Sequence, residues 1–349
     1  MKKKLIALAI AGAMTAPMAA MADVKITGGL QTQLIANGGS DATSKGLGMG
    51  AGGVLENNES GTWGAVNMSA SHDLGGGLTA LMHYGFNVRS TSDQASGNDG
   101  DHIGTRAAYV GLAGDFGAVL AGRMNHPYKT STIGWDPFVA TFMQARGNGG
   151  MGGPAWGALY GAETSKAVAY AGTFGGTKVV AAVVVDDAND TTNDKTVGNH
   201  GMAISVNVPV GPVEVAFAHA NLSKMGRDGA AVDDDGNLLG VADKATATKV
   251  GVKYAAGDFS VAGQYEMMGE GLGDGNVMFV TGSYKMGANT ISASIGMEDD
   301  DLRDSTYMAV GVSHALSPKA RVFAGYRASD MLDGNYKTNA VGVGMRVSF

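Results

Sequence analysis

Along most of this chain apolar and polar residues alternate in segments of about ten residues, the period-two signature of strands with two unlike faces. The closing stretch VGVGMRVSF puts Val341, Val343, Met345, Val347 and Phe349 on one side and Gly342, Gly344, Arg346 and Ser348 on the other. DVKITGGLQTQL sets Val24, Ile26, Leu30 and Leu34 against Lys25, Thr27, Gln31 and Gln33. AVNMSAS opposes Val66, Met68 and Ala70 to Asn67, Ser69 and Ser71. MAISVNV and TISASIGM repeat the scheme, with Ser205 and Asn207, then Ser292 and Ser294, on their polar sides. The polar face stays polar too consistently for a two-layer sandwich. An all-β fold is expected, with one face in an apolar phase and the other in water.

The breaks between segments are of two kinds. Short ones at 73–77, 113–117, 173–176, 209–212, 255–258, 286–288 and 316–318 carry Gly, Asp or Pro and read as tight hairpin turns. Long polar ones at 89–101, 186–199 and 223–244 alternate with them. About sixteen strands fit the mature length, and an even number closes an antiparallel sheet. One connection differs. From Asn125 to Glu163 the chain is long, rich in Gly and aromatic residues, and not clearly alternating; connections of that length are usually functional or disordered. Trp135, Phe138, Val139, Phe142 and Met143 predict that it packs inside the barrel and narrows the lumen.

Composition decides which apolar phase is meant. Lys2, Lys3 and Lys4 precede an apolar run from Leu5 to Ala13, and Ala20-Met21-Ala22 forms a small-x-small cleavage site before Asp23. Residues 1–22 therefore read as a secretory signal peptide, leaving 23–349 as a single exported domain. Its removal takes three lysines away, so the net charge of −7 becomes more negative. An acidic chain argues against nucleic acid as a partner. There is no cysteine, so no disulfide supports the fold, and glycine is abundant at 56 residues. Beyond the leader no apolar run is long enough for a spanning helix. If the chain lives in a membrane, it must do so as a closed sheet.

At this point the sequence resembles the Gram-negative general porins, trimeric barrels of sixteen strands. The resemblance is carried by TRAAYVGLAGDFGAVLAGR at 105–123, DLGGGLTA at 73–80, HALSPKARVFAGY at 314–326 and the terminal Phe349. It implies a transmembrane antiparallel β-barrel in the outer membrane, reached through the periplasm, with short periplasmic turns, long extracellular loops and 125–163 as the constriction loop. The implied partners are two further copies of the chain, outer-membrane lipid and lipopolysaccharide, the barrel-insertion machinery through Phe349, and small hydrophilic solutes that diffuse passively. The family sets acidic loop residues against arginines on the facing wall. Arg123 matches a wall position, and its parity groups it with Gly117, Val119 and Ala121. Arg106 lies in the partner strand, and Arg346 faces inward by alternation. The loop offers Asp136 as its acid, beside His126, Lys129 and Arg146. Two departures weaken the expected transverse field. Ala65 and Ser69 stand where many relatives place arginines, and no arginine lies after the loop near Glu163 to Lys166.

Other motifs lead elsewhere and carry less. GMGAGG at 48–53 has dinucleotide-loop spacing, but it precedes another alternating strand, not a helix. DDDGN at 233–237 and EDDD at 298–301 lack the calcium-loop pattern and read as solvated loop tips, with divalent ions near lipopolysaccharide left open. Seven histidines form no H-E-x-x-H pair and no G-x-S-x-G elbow occurs. Neither catalysis, a metal nor a cofactor is therefore expected. The alternatives to a general pore are a solute-specific channel, a structural or adhesive barrel, and a barrel-embedded hydrolase; Trp63, Trp135 and Trp156 are too few to form a sugar-guiding track.

Overall fold

The computed structural model describes residues 23–38, 46–49, 64–88, 103–145, 164–185, 200–221, 246–269, 274–300, 303–331 and 336–349. Its strands are β1 (Asp23–Gly38), β2 (Gly46–Met49), β3 (Gly64–Gly75), β4 (Leu78–Val88), β5 (Ile103–Gly114), β6 (Gly117–Met124), β7 (Thr164–Phe174), β8 (Thr177–Val185) and β9 (His200–Val210). They continue as β10 (Val213–Asn221), β11 (Thr246–Ala256), β12 (Phe259–Met268), β13 (Asn276–Met286), β14 (Asn289–Asp300), β15 (Arg303–Ser317), β16 (Ala320–Met331) and β17 (Tyr336–Ser348). A short helix, α1 (Pro127–Thr132), comes directly after β6.

From β3 onward each strand pairs antiparallel with the next in sequence, and β17 returns to β1, with Gly29 opposite Ser348 and Gly38 opposite Asn339. The sheet is thus a ring without edges, in which the backbone groups of each strand find partners on both sides; only such a sheet can cross hydrocarbon. β2 and β3 both pair with β1, along Leu34 to Asn37 and along Asp23 to Leu30 respectively, so the seventeen segments fill sixteen strand positions. The final residue closes the seam, with Phe349 and Gly28 exchanging backbone hydrogen bonds of 2.9 and 3.3 Å.

Tight turns fall at residues 76–77, 115–116, 175–176, 211–212, 257–258, 287–288 and 318–319, within or at the border of each short break expected from sequence. Gly76, Gly175, Gly211, Gly257 and Gly287 there have positive φ, which a side chain would strain. Alternation also sorts the faces as expected. Val341, Val343, Met345, Val347 and Phe349 are all exposed, as are Val24, Ile26, Leu30 and Leu34. The opposite row holds Gln31, Gln33, Lys249, Glu266, Glu298 and Arg327, all nearly inaccessible. The greasy skin and polar interior invert the soluble pattern, as burial in lipid requires. Among the described residues no helix is long and apolar enough to cross a membrane.

Candidate functional site

The first half of the predicted constriction loop is described, and it folds into the barrel. It opens with a helix that the alternation pattern does not announce. The His126 side chain accepts from Tyr128 N and Pro127 occupies the first turn, a start signal that His-Pro after a strand could have supplied. The Thr130 and Ser131 hydroxyls fold back on the Pro127 and Tyr128 carbonyls, and the chain continues into a single 3₁₀ turn at Ile133–Trp135.

The barrel wall holds this loop chiefly by its carbonyls. Asn207 donates to Ser131 O at 2.9 Å, Lys249 to Tyr128 O at 2.9 Å, and Arg327 to Phe142 O at 2.9 Å. The Arg346 guanidinium reaches Ala140 O at 3.1 Å and Val139 O at 3.3 Å. Gln31 also donates to Ala140 O, and Tyr307 to Met143 O. These donors satisfy main-chain oxygens that burial would otherwise leave unpaired. In the other direction Phe142 N donates to Gln33 Oε1 at 2.8 Å, and the Tyr128 hydroxyl to Glu266 Oε2 at 2.7 Å. Lys249 Nζ lies 4.2 Å from the centre of the Tyr128 ring, within cation–π range.

Glycines on the wall act as sockets for the loop's large side chains. A Cβ at Gly251 would lie 2.6 Å from the Trp135 ring, and one at Gly342 would lie 2.9 Å from Phe142. A Cβ at Gly311 would meet Phe138 and Met143, each at 2.9 Å. Trp135, Phe138, Phe142 and Met143 are accordingly buried, as expected of a loop packed inside. Burial, with Lys249 and Lys129 nearby, lowers His126 from its ordinary 6.5 to about 4. Tyr128 is raised, first by burial and then by Glu266.

The residues expected at the constriction do not all meet. Arg346 and Lys129 lie where loop and wall meet, Arg346 with Nε on Gln31 Oε1 at 2.7 Å and Lys129 buried on α1. Asp136 organises the loop itself, its two carboxylate oxygens accepting from Phe138 N and Ala145 N at 2.8 and 3.0 Å. Arg146 lies outside the described residues. The parity argument for Arg123 runs the other way: Val119 and Ala121 are exposed, while Ala118, Leu120 and Met124 are buried. Gly122, at a φ of +138°, then precedes a register shift between β6 and β7. At that break Arg123 donates to Ser165 Oγ at 2.7 Å and to Arg106 O at 3.2 Å. Arg106 itself falls at a register irregularity between β4 and β5. Arg321 was not singled out from the sequence; it faces Arg346 directly across β16 and β17. The alternation of ARVFAGYRA, with Arg321 and Arg327 an even number of residues apart, was the signal available.

A closed antiparallel barrel, apolar outside, charged within and narrowed by an inserted loop, defines a transmembrane β-barrel of the pore type. The family model for Gram-negative porins matches residues 7–334, and the chain belongs to that family of outer-membrane proteins. Over 143 residues it is 34% identical to the major outer membrane protein P.IB of Neisseria meningitidis serogroup B. That match spans 39% of this chain and 38% of the relative's length. Among solved structures it is similar to an anion-selective porin from Comamonas acidovorans, with a TM-score of 0.72, 18% identity, and coverage of 94% of this chain and 100% of that one. It is also similar to OmpT of Vibrio cholerae in a trimer form, at a TM-score of 0.62, 18% identity, and coverage of 94% and 99%.

Proposed function

We propose that this chain is a passive diffusion channel for ions and small hydrophilic solutes, and that its constriction favours anions. The observation that carries the reading is the inserted loop, which narrows a lumen whose wall is polar and charged. A wet bore removes the desolvation penalty a polar solute meets in hydrocarbon, and width and lining charge then set selectivity. The anion preference is supported by Arg321 and Arg346, directly opposed on neighbouring strands, with Arg327 on the same inner row of β16. Against them the loop acid Asp136 is engaged by two backbone amides. Similarity to an anion-selective porin agrees with this sign. No step of the proposal involves catalysis.

The chain is read as a homotrimer on its likeness to a barrel solved in a trimer form. Phe349, at the closing seam, is read as the residue offered to the insertion machinery, and lipopolysaccharide as the lipid around the loop end. The region 125–163 is read as the constriction loop, and residues 1–22 as the chain's removed leader. Arg346 is the lining residue this geometry supports best, with Lys129 buried on α1. Purified protein in planar bilayers under a potassium chloride gradient tests the reading. Stepwise conductance with a reversal potential of anionic sign is expected; absence of conductance refutes the channel, and a cationic sign refutes the preference.

A further inference from the structure

The loop's described anchors lie on β1, on β9, β11 and β12, and on β15, β16 and β17. Across the lumen, the arc from β3 to β6 supplies none of them among the described residues. One inner row crosses this arc in register: Lys25 opposite Ser69, Ser69 opposite His83, His83 opposite Tyr109, and Tyr109 opposite Gly122. Their outward neighbours Ile26, Met82, Tyr84 and Val110 are exposed, so the row itself points into the barrel.

The row is ordered chemically. The His83 and Tyr109 rings are stacked, 4.9 Å between centroids and 16° between planes. Ser69 Oγ lies 2.9 Å from His83 Nδ1 and fixes the imidazole plane. Neither ring is fully buried. The next inner position, Gly85, has no side chain, and a Cβ there would lie 3.4 Å from His83 Nε2 and 2.7 Å from Asn67 Oδ1. The Asn67 side chain therefore fills the space beside Gly85, which is itself buried, and bounds the row with an amide at the imidazole edge. Lys25, an exposed cation on the inner row, stands two strand spacings from His83, roughly 10 Å at the backbone. Arg106 lies within electrostatic reach of His83 on the other flank.

We infer that the Ser69, His83 and Tyr109 row, with Lys25 and Arg106 at its flanks, is a binding subsite for aromatic carboxylates in transit. The chemistry selects this class because the stack offers a flat π surface while the flanking cations offer an anion partner. An aliphatic carboxylate uses only the cations, and a neutral aromatic only the rings. The inference rests on the diffusion-channel reading and adds a solute class to it.

The test compares block of chloride current by benzoate and by cyclohexanecarboxylate, which match in charge and approximate size and differ in planarity. Half-block by benzoate is expected at about a tenfold lower concentration, the scale of an aromatic contact beyond simple burial. Tyr109→Leu should abolish that difference and Tyr109→Phe should keep it, with His83→Leu as a second removal should Tyr109→Leu fail to fold. Lys25→Gln should weaken both blockers alike. Equal block by the two acids in the native channel, or an undiminished preference in Tyr109→Leu, overturns the subsite and leaves the channel reading standing. Absence of chloride current removes the channel reading and the subsite with it.

Discussion

Acid should release the inserted loop, and His126 sets the window. With the loop docked, His126 is buried with its Nδ1 accepting from Tyr128 N, and Lys249 and Lys129 add to the burial in holding its value near 4 instead of 6.5. Above pH 6.5 the imidazole is neutral whether the loop is docked or free, so docking carries no protonation cost. Between 6.5 and 4 only the free loop binds the proton, and docking weakens by about 1.4 kcal/mol per pH unit. Over the whole window that is about 3 kcal/mol, or roughly 300-fold in the docking equilibrium. The chain has no cysteine, so Ser131→Cys, at a site only 4% exposed, gives a single thiol that maleimide reaches when the loop leaves the wall. Its labelling rate, normalised to Asp258→Cys in an exposed turn to cancel thiol ionisation, should rise steeply from pH 7 to pH 4. His126→Asn keeps a side chain able to cap α1 and should flatten that rise. A normalised rate that is flat with pH in the native background, or equally steep in His126→Asn, refutes the argument.

The same contacts give three further expected outcomes. Tyr128→Phe removes the hydroxyl that donates to the buried Glu266 Oε2 and leaves that acceptor unsatisfied, at a cost of about 1–3 kcal/mol, so Ser131→Cys should label faster at neutral pH while the barrel still resists boiling-free detergent electrophoresis. Arg346→Gln deletes one of two directly opposed arginines and should move the reversal potential toward cations in a bilayer under a salt gradient. Gly342→Ala places a methyl 2.9 Å from both Leu34 O and Phe142; overpacking of this kind costs about 1–3 kcal/mol, and open-channel current noise should increase.

The barrel was legible because its rule is local. Period two assigns each of Val341, Val343 and Met345 to the skin from its neighbours alone, and Gly at a turn declares itself by type. The packed loop was legible for a related reason, since Trp135, Phe138 and Phe142 in one connection have no use in water. The site was harder. Tyr128 and Glu266 are 138 residues apart and Arg327 and Phe142 are 185 apart, so no spacing in the sequence announces either contact. Arg123 shows how a local rule fails: counting by twos from Val119 gives a face, but Gly122 and the register shift beside it interrupt the strand at the position of interest. Asp136 shows a different limit, because a carboxylate that folds its own loop cannot be told by type from one that faces a pore.

The two arcs of the lumen divide the work of the inner wall. On the arc from β9 to β1, Lys249, Arg327 and Arg346 are charges that each donate to a loop carbonyl. Bonds to ionised donors are stronger than neutral ones, and the charge persists while the bond is made, so each of these residues positions the loop and contributes to the field at once. Substituting any of them therefore changes pore width and pore charge together, and the two effects cannot be separated there. On the opposite arc Ser69, His83 and Tyr109 hold one another and have no described bond to the loop. Changes on that side should alter which solutes linger without moving the constriction, which is why recognition is better sought across from the loop than beneath it.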